Sequence, residues 1–165
     1  MSILKKISVF TMLLCASILL LAPVNADADT VGQVLTNPED GWQRVDDKNE
    51  NIQYLGNNWS VVDFNGYFKN TAHTTFPNGS INHSIKFKFS GSKLRVIGCT
   101  NSVYSAIVSI YIDGNKYTFS QKGATARGIL NFEKSGLEYG IHEVLITGND
   151  SDCIAIDAYD IDADG

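Results

Sequence analysis

Apolar and polar residues alternate along most of this chain of 165 residues, and a two-residue period commits it to β-strands with one face buried and one face wet. Ile85, Phe87 and Phe89 are separated by Lys86 and Lys88. Ser90-Gly91-Ser92 turns the chain, Leu94 and Val96 repeat the pattern, and Ile97-Gly98-Cys99 ends that strand. Ala106, Val108, Ile110 and Ile112 form another apolar face, and Asp113-Gly114 joins it to Tyr117 and Phe119. Asp-Gly between two alternating runs is a strong hairpin signal. Further strands are expected at Trp42–Val45, around Ile52 and Tyr54, over Trp59, Val61 and Val62, at Ile129–Phe132, and over His142–Thr147. The last strand runs from Cys153 to about Ile161. Its apolar residues shift phase between Ile154/Ile156 and Tyr159/Ile161, which predicts a bulge near Asp157-Ala158. Residues 65–80 read as irregular and polar. No segment of ten residues sustains a 3.6-residue period, so helices should be few. About eight short strands with frequent turns predict an all-β, antiparallel β-sandwich or jelly roll.

The first 28 residues read differently. Lys5 and Lys6 precede an apolar run from Ile7 to Ala22, Pro23 breaks it, and Ala26-Asp27-Ala28 offers small residues for cleavage. That order is a secretory signal peptide, and the run is shorter than the ~20 apolar residues of a spanning helix. The expected organisation is a signal peptide over 1–28, a polar, turn-rich lead-in over 29–41, and a β-sandwich domain over 42–165. The residues before Cys15 lack the small side chain of a lipid-attachment box. The leader has a bacterial character, so the Asn-x-Ser/Thr sites at Asn58, Asn78, Asn82 and Asn149 are not expected to carry glycans.

Removing residues 1–28 takes away two lysines and Asp27, leaving 11 basic and 17 acidic residues and a net charge near −6. With no cluster of Lys and Arg, the domain would be repelled by nucleic-acid phosphates and by anionic lipid. A secreted, extracellular monomer is expected, with no nucleic-acid partner and no membrane association after cleavage.

Several segments, in order, resemble the galactose-binding-like β-sandwich used by many bacterial carbohydrate-binding modules. They are Trp42–Asp47 with Ile52–Trp59, then Phe87–Gly98, Val108–Gly114, Gly136–Ile146 and Ile156–Tyr159. The resemblance covers roughly residues 42–162. It implies a jelly roll that binds glycan or cell-surface polysaccharide through its loops. It also implies that the strand ending at Cys99 lies antiparallel beside the last strand, which would bring Cys99 near Cys153. A disulfide there would contribute roughly 4 kcal/mol, and export permits one; two buried thiols are the alternative. The resembling fold often carries a structural Ca²⁺ between its opening and final strands, although no ligand set can be named here and no other cofactor is expected.

Candidate site residues follow from the chemistry of sugar recognition, in which apolar C–H faces stack on aromatic rings and polar side chains hold the hydroxyls. Tyr104 follows Thr100-Asn101-Ser102 in a loop, so Asn101 and Tyr104 are candidates. Tyr67 also lies in a loop. Trp59 opens an irregular stretch and divides between core and platform. His73, in the polar segment, is the fourth candidate. His142 reads as packing beside a turn. Catalysis is not expected. A glycosidase needs two carboxylates flanking a cleft; the available pairs, Asp46-Asp47 and Asp157/Asp160, read as turn and bulge chemistry, and no nucleophile motif is present. The acidic end, Asp160–Gly165, holds only half of an EF-hand loop. The leading expectation is a non-catalytic carbohydrate-binding module with Trp59, His73, Asn101 and Tyr104 at its site. The alternative is a structural or adhesion domain that binds protein or cell wall without a sugar pocket.

Overall fold

A computed structural model describes residues 30–76, 83–148 and 152–165. The expected signal peptide and the sites at Asn78, Asn82 and Asn149 lie outside the described residues. Twelve strands are present among those described: β1 (Trp42–Asp46), β2 (Gln53–Leu55), β3 (Trp59–Asp63), β4 (Thr71–Thr75), β5 (Ser84–Gly91), β6 (Leu94–Thr100), β7 (Val108–Ile112), β8 (Asn115–Phe119), β9 (Ala126–Lys134), β10 (Gly140–Gly148), β11 (Ala155–Ile156) and β12 (Ala158–Asp162). They form three antiparallel sheets, ordered β1-β12-β6-β9, β2-β5-β10-β7-β8 and β11-β4-β3. Among the described residues no helix is long and apolar enough to cross a membrane.

The two larger sheets bury one core between them. Ile85, Phe87 and Phe89 of β5, Ile110 and Ile112 of β7, and Val144 and Ile146 of β10 meet Leu94 and Val96 of β6, Phe132 of β9, and Tyr159 and Ile161 of β12. The rings of Phe87 and Tyr159 stack across the gap at 4.3 Å. Each such side chain contributes roughly 1.5–3 kcal/mol when fully buried. The Asp113-Gly114 turn has φ values of 50° and 80°. Positive φ at both central residues is the type I′ geometry that matches strand twist. Ile112 and Asn115 are paired directly across it.

β6 is buried along nearly its whole length, on both faces. Its second face is covered by the lead-in segment. Leu35 packs with Ile97, Leu130 and Ala158 in a smaller cluster against Phe68. The Leu35 N–H donates to the Gly128 carbonyl at 2.7 Å and the Gly32 N–H to that of Leu130 at 2.8 Å. Arg44 clamps this arrangement, giving Asp160 two hydrogen bonds of 2.7 and 2.8 Å and the Leu35 carbonyl a third at 2.8 Å. Asp160 is thus consumed by a buried ion pair.

Two local expectations change. The segment read as irregular contains β4, whose Thr71, Thr74 and Thr75 are buried. Threonine is β-branched and suits a strand, but its hydroxyl hides the strand from a search for apolar alternation. Those hydroxyls are satisfied internally, Thr71 by Asp47 and Thr74 by backbone carbonyls. The phase shift at Asp157 is a change of sheet: β11 pairs with β4, the Asp157 N–H donates to the Ile97 carbonyl, and β12 then pairs with β6.

Candidate functional site

A cavity of about 280 Å³ lies beside the small sheet, against β3 and β4. At ~30 Å³ per water, it has room for about nine waters. Its inner wall is Thr74, Thr75 and Cys153. Tyr67, Tyr104, Val62 and Arg127 form the sides, and Phe64, Phe76 and Val103 form the rim. The three rim residues are each more than half exposed. Tyr104 is set by a compact loop: its N–H donates to the Asn101 carbonyl, the Cys153 N–H to Val103, and the Ser105 N–H to Cys153. Arg127 sits on β9 directly opposite Cys99 of β6, beside an irregularity in that ladder. Its guanidinium lies 3.9 Å from the Phe64 ring centroid and 5.6 Å from that of Tyr67. Gly66, at φ 100°, lets the turn carrying both rings fold over the Arg127 stem, 3.6 Å from the nearest side-chain carbon to a Cβ built there.

The lining of the cavity carries one cation, Arg127. Burial pushes the Tyr104 hydroxyl up to about 12 and raises the Tyr67 hydroxyl well above its ordinary range. The Cys99 thiol behind them hydrogen-bonds both tyrosines and is raised by burial. The lining contains no Asp or Glu.

The sequence candidates divide around this cavity. Tyr104 lines it. Asn101 braces the loop instead, its amide donating to Thr125 and its carbonyl accepting the Val103 N–H. Trp59 resolves toward the core: its indole N–H donates to the Leu55 carbonyl at 3.0 Å, its ring meets Tyr54 edge-on at 5.0 Å, and it packs on the main cluster. His73 is held by Asp47 at 2.6 Å and stacks on Tyr54 at 3.8 Å, so its ring has structural partners on two sides. Phe64, Phe76 and Arg127 were not singled out. No local pattern marks them, because three separate segments bring them together.

The expected bridge between Cys99 and Cys153 is absent: both are free, buried thiols. Upstream of the β12–β6 ladder, which ends at Ala158 opposite Ile97, the chain pairs with β4; Cys153 forms a β-bridge with Tyr104, whose hydroxyl also hydrogen-bonds the Cys99 thiol.

The carboxylates at the junction of β1 and β12 bear on the implied Ca²⁺. Asp47 has both oxygens engaged, by Thr71 and His73. Asp46 and Asp157 each leave one buried oxygen without a partner. Burial raises both acids, Asp157 to about 8, and neighbouring carboxylates add to the effect. Among the described residues no three His, Cys, Asp or Glu side chains converge on one point. A proton on Asp157 would relieve this crowding of acids.

A second concavity, about 610 Å³, runs over the open face of β2, β5 and β10. Within its lining Lys88 is paired to Glu143 at 2.6 Å. The loop cavity combines exposed aromatic rings with Arg127, which takes part in no ion pair among the described residues.

No protein-family model matches the sequence, and no curated protein sequence matches it. Solved structures do. The CBM35 of Cellvibrio japonicus Abf62 superposes with a TM-score of 0.51 at 13% identity, covering 71% of this chain and 90% of that one. A family 35 carbohydrate-binding module from an environmental isolate gives 0.51 at 11% identity, covering 73% and 97%. A two-domain esterase active on acetylated mannans, co-crystallised with mannopentaose, gives 0.56 at 12% identity over 84% of this chain. The chain spans 41% of that esterase and 29% of an exo-β-1,3-galactanase from Phanerochaete chrysosporium that also matches. At these identities the likeness is one of architecture: this chain has an all-β, antiparallel sandwich fold like that of these carbohydrate-binding modules.

Proposed function

We propose that this chain is an extracellular, non-catalytic module that binds glycan in the cavity bounded by Phe64, Tyr67, Tyr104 and Arg127. The observation that carries the reading is the pairing of exposed aromatic rings with polar groups around a cavity the size of one sugar ring. Rings supply apolar faces for sugar C–H groups, and the Tyr hydroxyls and Arg127 supply hydrogen bonds. The modules of like fold support carbohydrate binding. The lack of any carboxylate in the lining argues against glycoside hydrolysis there.

The test is a glycan array followed by calorimetry on the full chain and on Phe64→Ala. Phe64 is 54% exposed, so its removal should leave the fold intact. Loss of one stacking ring should weaken binding by about fivefold to tenfold, from ~1 kcal/mol of aromatic contact. Equal affinity of the two proteins would place recognition elsewhere. An adhesive role is the second reading, favoured by the exposed apolar rim of Phe64, Phe76 and Val103; a folded protein that binds no glycan would support it.

A further inference from the structure

We propose that the glycan held in this cavity is esterified, with an O-acetyl group seated against Val62, Phe76 and Val103 while the sugar ring covers the Phe64 side of the rim. The inference rests on the glycan-binding reading above and specifies its ligand.

The polar groups of the cavity wall are already engaged within the fold. The Thr74 hydroxyl donates to the carbonyls of Thr75 and Ile154. The Thr75 hydroxyl accepts the Ile154 N–H at 3.0 Å. Tyr67 and Tyr104 both hydrogen-bond the Cys99 thiol. Arg127 packs its guanidinium on the Phe64 ring and buries its Nε. What the cavity presents to a ligand is therefore mainly apolar: Phe64, Phe76 and Val103 are each more than half exposed, and Val62 stands beside them. The rings can stack on the C–H faces of a sugar. The two valines cannot stack in that way. An aliphatic side chain offers a hydroxyl no hydrogen bond, but it offers a methyl group a contact that excludes water.

A sugar hydroxyl pressed against such a wall gives up its hydrogen bonds to water and finds few in return, which is costly. An acetyl ester puts in its place a group without a donor, whose methyl end gains from leaving water. The volume suits a short substituent: about 280 Å³ accommodates an acetyl group and part of one sugar ring, and is too small for a long acyl chain. The ester is held there without being cleaved. The lining contains no His, Asp or Glu to act as a general base. Burial raises the Cys153 thiol on the wall, which keeps it from becoming a thiolate nucleophile. Sugars without the ester leave the valine side of the cavity unmatched and should bind less well.

The test titrates the full chain with O-acetylated xylan, glucomannan and alginate, each before and after mild alkaline removal of its esters, and with ethyl acetate as the ester without a sugar. The deacetylation comparison keeps the protein unaltered, so it does not depend on a variant that folds. Affinity at least about fivefold higher for an acetylated polysaccharide than for its deacetylated form is the expected result, from burial of the methyl group and its neighbouring carbon. Val103→Ser, checked for fold by circular dichroism, should cut that ratio to about twofold or less. The Val103 side chain is exposed, and its loop is held through its backbone N–H and carbonyl. Acetylated and deacetylated forms bound equally well would overturn the inference and leave the glycan-binding reading standing. A ratio unchanged in Val103→Ser would overturn it too, by placing the ester elsewhere. So would ethyl acetate binding as tightly as the acetylated polysaccharide, since the sugar would then contribute nothing. No binding to any glycan would remove both.

Discussion

Replacing Asp157 by asparagine should make this protein more stable at neutral pH, although it alters a buried carboxyl group that anchors a turn. Asp157 is 1% exposed. One oxygen accepts the Phe68 N–H at 2.8 Å, and the other has no partner. Burial pushes its pKa up to about 8, with Asp47 and Asp46 adding to the rise and the Phe68 N–H and Arg44 opposing it. In the unfolded chain the group ionises near its ordinary value of ~3.9. Below that pH both states hold the proton, and the group does not affect stability. Between there and about 8 the folded state keeps its proton while the unfolded state releases it, so stability falls as pH rises. At ~1.36 kcal/mol per pH unit, the loss reaches about 4 kcal/mol by pH 7 and about 5 kcal/mol by pH 8. Asparagine keeps a carbonyl for the Phe68 N–H and has no charge to bury. The assay is urea denaturation of both proteins between pH 4.5 and 8.5, compared through midpoints at a common m-value. The gap between them should open as pH rises, with the variant above the wild type. A variant that is less stable at pH 7, or one offset by the same amount at every pH, would refute the reasoning. A loss seen only when Ca²⁺ is present would mean that the carboxylate is ionised and held by a cation.

Two further outcomes follow from buried polar geometry. His142 places Nδ1 2.5 Å from Asp113 and Nε2 within 2.9 and 3.1 Å of the Glu138 and Gly91 carbonyls, so both ring nitrogens face acceptors and the doubly protonated form is favoured. Burial alone would lower its pKa, but the Asp113 hydrogen bond, the Glu138 carbonyl and the remaining contacts outweigh it and raise it. Its contribution to stability is therefore complete below ~6.5 and is lost as pH rises through the raised value; an NMR titration placing the imidazole below 6.5 would contradict this. Gly98→Ala would drive a Cβ into Asn131 and to 2.9 Å from both the Ala155 carbonyl and the Gln121 amide, all within a buried hydrogen-bonded network. A cost of ~2–4 kcal/mol should lower Tm by ~10 °C, and an unchanged melting curve would show that the network yields freely.

How far the sequence could be read depended on whether a signal was local. The Asp113-Gly114 hairpin and the Ile85/Phe87/Phe89 face were legible because turn chemistry and the pleat act over a few neighbouring residues. β4 was not, since threonine in a strand looks like loop until the partners of its hydroxyls are known. Tyr104 was legible as a loop aromatic. Trp59 looked much the same in sequence, yet Tyr54 and the Leu55 carbonyl draw it into the core.

Alternation of apolar residues by itself determined that this chain builds facing antiparallel sheets, because the side-chain period of a strand leaves a half-apolar segment one way to hide its surface. Where the last strand leaves one sheet for another could only be decided in three dimensions, by the competing hydrogen bonds of Thr74, His73 and Ile97 on either side of Asp157. The same long-range pairing sets Cys153 beside Tyr104 on the wall of a cavity whose lining holds no carboxylate. Pairing between residues far apart in the chain depends on which partners the fold has already taken, and no local pattern carries that information.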